Sequence, residues 1–286
     1  MDYQIITDSC SDLPNRLIEE LGISYVPLTL MFRQEVWRDT TDAGLKTIFD
    51  GLRAGETATT AAANPENWTV VMEPQLAQGK DLLVLAFSSG LSTTYQSAVI
   101  AAADLREKYP ERTIYVVDTL CASLGQGLLV WYACRKKAAG MPLEELYNWC
   151  EEKKFQLCHW FTVDDLMFLK RGGRISAATA LLGTMLNIKP VLHVDDEGHL
   201  INVAKARGRK ASIEALAAKF TQLALPGEND TVFICHGDCL EDAQYLARLL
   251  KEKHGVKEVV IGYVGAVIGA HSGPGTLAVF FLGQNR

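Results

Sequence analysis

The chain lacks most of the features that announce a function in advance. None of its 7 cysteines forms a CxxC pair, so spacing offers neither a disulfide framework nor a paired zinc motif. No apolar run reaches the ~18–20 residues that cross a bilayer, and Met1-Asp2-Tyr3-Gln4 has none of the basic charge that opens a secretory signal. Basic charge is scarce overall: 28 Lys and Arg face 34 Asp and Glu, a net charge of -6, which argues against a phosphate-neutralising surface and against nucleic acid as a partner. GxxxxGK[ST], GxGxxG, HExxH and GxSxG are all missing, and with them the common signatures of nucleotide binding, zinc hydrolysis and serine hydrolysis. Cys158-His159 and Cys235-His236-x-x-Cys239 hold zinc-ligand residue types without the second close pair that a structural site needs. A cytoplasmic protein is expected, with reduced thiols, no metal, no cofactor and no stable membrane insertion.

What is present is a soluble globular composition, 48% hydrophobic and 22% charged, on a chain of 286 residues that is long enough for two domains. Tyr3 to Thr7 reads as a β-branched strand, and the oxygens of Asp8-Ser9-Cys10-Ser11-Asp12 precede a helix from Pro14 to Leu21. Ile23 to Leu30 reads as the next strand. Leu82 to Phe87 is a continuous apolar run of the kind a strand covered on both faces shows, followed by Ser88-Ser89-Gly90-Leu91-Ser92-Thr93-Thr94 and a helix from Tyr95 to about Tyr109. Thr113 to Val117 repeats the pattern, running through Asp118-Thr119-Leu120-Cys121-Ala122-Ser123 into a helix that reaches Gly140. Strand alternating with helix predicts an α/β architecture with a parallel sheet, whose ligands sit at the carboxyl ends of the strands.

Each of the three turns offers small hydroxyls and helix N-terminal N–H groups, a chemistry suited to a carboxylate or a phosphate. Helix capping alone also explains any one of them. Gly90-Leu91-Ser92-Thr93-Thr94 has threonine where GxSxG has its second glycine, and no nearby base can be assigned, so a nucleophile turn finds little support. Basic charge concentrates in Lys170-Arg171-Gly172-Gly173-Arg174, followed by a small apolar helix from Ala177 to Leu186. Asp195-Asp196-Glu197-Gly198 is a hairpin signal between Lys189–Val194 and His199–Ala204, so the second half contains antiparallel pairing. Helices from Ser212 to about Leu223 and from Leu240 to Lys253, with strands Thr231–Cys235, Glu258–Gly262 and Leu277–Leu282, complete it. The expected division is 1–156, with a mainly parallel sheet in three layers, and 157–286, with a mixed sheet; the last strand is free to return to the first domain. Glycine density around His271 permits close backbone approach to a ligand, or simply a turn bearing an exposed histidine.

Six segments, in order and over essentially the whole chain, resemble the DegV-like family of bacterial fatty-acid-binding proteins. They are Ile6–Pro14, Ser88–Ala98, Val117–Gly127, Leu169–Ser176, Leu186–Pro190 and Gly269–Gly275. The resemblance implies a two-domain α/β protein that holds one long-chain fatty acid in a tunnel between the domains and presents its carboxylate to a separate fatty-acid kinase, which makes an acyl phosphate. Such a protein is a carrier, not an enzyme. Carried over by position, Thr60 and Ser92 are the carboxylate-binding hydroxyls, His271 belongs to their hydrogen-bond network, and Ser89 and Gly90 share their loop. Arg171, Arg174 and Arg207 fall at positions tied to the carboxylate end or the kinase-docking surface, with Arg171 and Arg174 taken as ligand-binding and Arg207 and Lys170 as partner-binding. Two departures stand out: Thr60-Ala61-Ala62-Ala63 replaces a Thr-Ser-x-Pro segment, and Thr93 follows Ser92 where glycine is usual.

A saturated tail contributes roughly 0.8 kcal/mol per buried methylene, so affinity is expected from the tail and orientation from the head. Met167, Phe168, Leu181, Leu182, Met185, Leu186 and Ile188 are candidate tunnel residues, and each also fits an ordinary core position. The competing reading is an enzyme acting on a small phosphorylated or acylated metabolite at the same strand ends.

Overall fold

The computed structural model describes residues 2–38, 42–176 and 187–286. The helix predicted for 177–186, and with it Leu181, Leu182, Met185 and Leu186, lies outside the described residues. The first half contains strands β1 (Tyr3–Asp8), β2 (Ser24–Val26), β3 (Thr29–Phe32), β4 (Glu35–Trp37), β5 (Ala58–Ala61), β6 (Asp81–Ala86) and β7 (Ile114–Asp118). The second contains β8 (Leu157–Thr162), β9 (Ile188–Val194), β10 (Leu200–Arg207), β11 (Thr231–His236), β12 (Glu258–Tyr263) and β13 (Leu277–Leu282).

Strands β2-β1-β6-β7 form a parallel sheet. Every residue of β1 and β6 is buried, as the unbroken apolar run in β6 predicts for a strand covered on both faces. The run Ile23 to Leu30, expected as one strand, divides at Pro27. Proline has no N–H to give to a ladder, so β2 ends at Val26 on the edge of the parallel sheet and β3 begins a separate antiparallel sheet of order β4-β3-β5. The Ser9 hydroxyl accepts the N–H of Leu28 at the crossing (2.9 Å).

The second half builds a six-stranded mixed sheet, β10-β9-β8-β13-β11-β12, in which only β11 and β12 run parallel. β13 does not return to the first domain. It pairs with β8 and β11 at the centre of the second sheet, where all six of its residues are buried. Pairing alternates its side chains between faces: Leu277, Val279 and Phe281 pack under helices Arg209–Leu223 and Leu240–His254, while Ala278 and Phe280 face the first domain.

Between the sheets lies helix Leu124–Ala138, which packs on β1 and β6 of one and on β8, β11 and β13 of the other. Its first turns are buried on nearly every side, so small residues are required where it meets the second sheet. A Cβ on Gly125 would run into His159 Nε2 and the Phe280 ring. Gly125→Ala is therefore expected to lower stability by about 1–3 kcal/mol through overpacking, read from urea unfolding; an unchanged midpoint would mean that the helix stands off the sheet.

Candidate ligand-binding site

The carboxyl ends of β6 and β7, with Leu28 after β2, face the second sheet across a cavity of about 500 Å³. Its walls are mostly apolar: Leu28, Phe87 and Leu91 from the first domain, Val264, Val267 and Ile268 before and within helix Ala266–Ser272, and Phe161, Ala278 and Phe280 from the second sheet. Thr60, Ser89, Ser92, Arg174 and His271, from four separate segments of the chain, line the same space.

The hydroxyl-rich turns are held in place by carboxylates, and Asp8 at the same time caps the short 3₁₀ turn Ser9–Ser11. Asp8 accepts the N–H groups of Cys10 (3.0 Å) and Phe87 (2.7 Å), and Asp118 accepts those of Ser89 and Leu120 (both 3.1 Å). Ser88 donates to Gly198 O (3.0 Å), fastening the turn to the β9–β10 hairpin. Burial raises the Asp8 carboxyl to about 6 and that of Asp12, which takes the Ser123 hydroxyl, to about 7, each against hydrogen bonds that pull the other way. The Ser123 side chain makes no cap on the helix it precedes, and neither does that of Thr93.

At the polar end, the Thr60 hydroxyl and His271 Nε2 lie 2.7 Å apart, and the Ser92 and Thr94 hydroxyls 2.8 Å apart. The Thr60 hydroxyl can accept from His271 and the Ser92 hydroxyl from Thr94, each then leaving its own proton for a ligand. Arg174 donates to Leu91 O through Nε (3.2 Å) and Nη2 (3.0 Å), and to Gly172 O through Nη1. Among the described residues no carboxylate pairs with it. His271 is held down to about 4, first by burial and then by the Arg174 charge, so the ring is neutral at pH 7. The site thus carries one half-buried positive charge and a set of uncharged donors, a combination that fits a single anionic head.

Arg171 does not line this cavity. Its guanidinium stacks on Phe168 (4.5 Å) and borders a smaller cavity of about 380 Å³ that shares Thr60, Arg174 and His271 with the larger one. Gly90 does not reach the cavity either: a Cβ there would lie 2.8 Å from Glu197 O, so it serves the contact with the hairpin. Lys170 and Arg207 lie outside both cavities, and Arg207 is exposed at the end of β10. Met167 and Ile188 line neither space and Phe168 only the smaller. Thr93 adopts φ -77°, open to any L residue, so its β-branch brings no strain. Without a proline after it, Thr60 still reaches His271.

Several lining residues carry no signal in the sequence. Ser123, His159 and Cys235 meet at the far end, where His159 accepts the Ala122 N–H (3.3 Å), pairs through Nδ1 with Leu157 O (2.9 Å) and sits edge-on to Phe280. Ser272, 4% exposed, has a hydroxyl with no partner among the described residues. Cys235, His236 and Cys239 do not converge: among the described residues no group of three or more His, Cys, Asp or Glu side chains is placed to hold a metal ion.

The DegV family profile, described as that of an uncharacterised protein family, matches residues 2–284. The chain belongs to the DegV family. A DegV domain-containing protein of Clostridium perfringens is 46% identical over 286 residues, covering 99% of this chain and 98% of its own. Among solved structures, a DegV family protein of Thermus thermophilus described for its fatty-acid binding superposes with a TM-score of 0.88 at 34% identity, covering 99% of this chain and 100% of that one. DegV of Bacillus subtilis, described as a fatty-acid-binding protein, gives 0.81 at 28% identity, covering 99% and 100%. No helix among the described residues is long and apolar enough to cross a membrane.

The His271 environment is open to direct test. Its imidazole is expected to titrate near 4 by NMR, with the resonance assigned from His271→Gln. Arg174→Gln should raise that midpoint only partly, since burial is the larger cause. A midpoint near the ordinary histidine value would mean that the ring is solvated.

Proposed function

We propose that this chain is a carrier for one long-chain fatty acid. The tail fills the cavity between the sheets, and the carboxylate lies at the Thr60, Ser92 and Arg174 end, with His271 and Ser89 completing the polar shell. The observation that carries this reading is the pairing of an apolar cavity with a guanidinium that has no carboxylate of its own among the described residues. A bound carboxylate would supply the missing charge. Relatives described as fatty-acid-binding proteins support the same ligand class. The two domains are taken as 1–156 and 157–286, and the compartment as the reducing cytoplasm, where the seven cysteines stay free thiols.

The carboxylate would be presented outward, through the smaller cavity beside Arg171, to a separate fatty-acid kinase docking near Lys170 and Arg207. Support for the partner comes from the family resemblance and from the adjacency of the two cavities at Thr60, Arg174 and His271. One feature favours an enzyme instead, the hydroxyl–imidazole pair of Thr60 and His271. A ring that takes its proton near 4 is a weak base at neutral pH, which favours the carrier.

Native mass spectrometry of protein purified from bacteria should show a co-purifying long-chain fatty acid. A clean unliganded mass, with no uptake of added palmitate or oleate, would overturn the carrier reading, and phosphate release or ester hydrolysis without a partner would favour the enzyme. Ser92→Ala should weaken fatty-acid affinity by roughly tenfold to a hundredfold, the loss of one charge-assisted hydrogen bond of about 1.5–3 kcal/mol, while the protein stays folded. Equal affinity in that variant would remove Ser92 from the site. Arg207→Glu should impair acyl-phosphate formation by a fatty-acid kinase more than it impairs lipid binding; equal losses would give Arg207 a structural role.

A further inference from the structure

The second sheet floors the cavity in rows set by strand register. One row crosses three strands as Cys235, Ala278 and Phe161, and the next as Phe233, Phe280 and His159. Thr276, Ala278 and Phe280 point to the same side at successive two-residue steps, and all three line the cavity. The lower row is closed by the edge-on contact of His159 and Phe280, ring centroids 5.3 Å apart, with Gly125 packed directly beyond. The middle row is passable because its central residue is alanine, the smallest of the floor side chains. Its flank at Cys235 is small as well.

We infer that Ala278 sets how long an acyl chain this protein accepts, by leaving open the passage from the upper part of the cavity to the compartment bounded by His159, Phe280, Ala122 and Ser123. The inference rests on the fatty-acid reading above. Two residues of antiparallel strand advance ~6.7 Å. An extended chain of single bonds, at three bonds per ~3.6 Å, covers that distance in between about five and six bonds. The lower compartment therefore accounts for about five methylenes of the tail. Ala278 is 4% exposed and lines the cavity within a packed floor, so the added atoms of a larger side chain at 278 take up cavity space and the passage is lost.

Ala278→Leu and the smaller Ala278→Val test this against wild type, with saturated acids from decanoic to octadecanoic measured by competition, and thermal unfolding as a check on the fold. In Ala278→Leu the preferred chain should shorten by about five methylenes, and affinity for octadecanoic acid should fall about tenfold or more relative to dodecanoic acid. Ala278→Val should shift the same way by less, and it decides the matter if the leucine variant does not fold. A wild-type protein that binds no acid of any length defeats the carrier reading itself. A wild type that binds, with folded variants whose length profile is unchanged or whose affinity falls equally at all lengths, defeats the role of Ala278 alone.

Discussion

A guanidinium held inside the protein by carbonyl oxygens, with no carboxylate answering it among the described residues, is the constraint around which the site is organised. Arg174 fastens Leu91 and Gly172 and so ties the loop after β6 to the turn that ends helix Met167–Arg171. Its charge also helps to keep His271 neutral. A second cation beside it would double the cost of the empty state; a built-in carboxylate would fill the place of the ligand. Among the described residues no carboxylate pairs with Arg174, and Arg171 borders only the smaller cavity, so the head site attracts an anion without gripping it through a full salt-bridge network.

On the carrier reading proposed above, tail and head divide the labour. Apolar walls drawn from both sheets supply most of the free energy, in proportion to the hydrocarbon they cover, and place no demand on where along the cavity each methylene rests. On that reading the hydroxyls of Thr60 and Ser92 contribute direction. Their neighbours, His271 and Thr94, can take the accepting or donating role as required, so the site adapts to a carboxylate without moving backbone.

Much of this was legible before any coordinates. The apolar runs of β6, β7 and β13 and the turn chemistry after β1, β6 and β7 located the strands and the edge where ligands gather, because local periodicity and burial on both faces leave a direct trace. Pro27 was a breaker visible in the sequence, yet its effect, sending the chain into a separate sheet, depends on pairing with β5 far along the chain. Helix Pro65–Ala77 tolerates Pro74 in its interior, against the usual rule, and carried no readable amphipathic stripe. The cavity floor was the least legible part. His159, Cys235 and Ala278 come together only through the register of β8, β11 and β13, a long-range property that no local pattern encodes.

Helix Leu124–Ala138 belongs to both halves at once, with β1 and β6 on one side and β8, β11 and β13 on the other. Rocking one half away from the other would strip a buried helix from one of its two partners and expose Leu128, Leu129 and Val130 to water. If the chain carries a fatty acid as proposed, its exchange is therefore a matter of local rearrangement around the polar end. On that reading the residence time of a passenger belongs to the loops around the polar end, with the shared helix holding the two halves together.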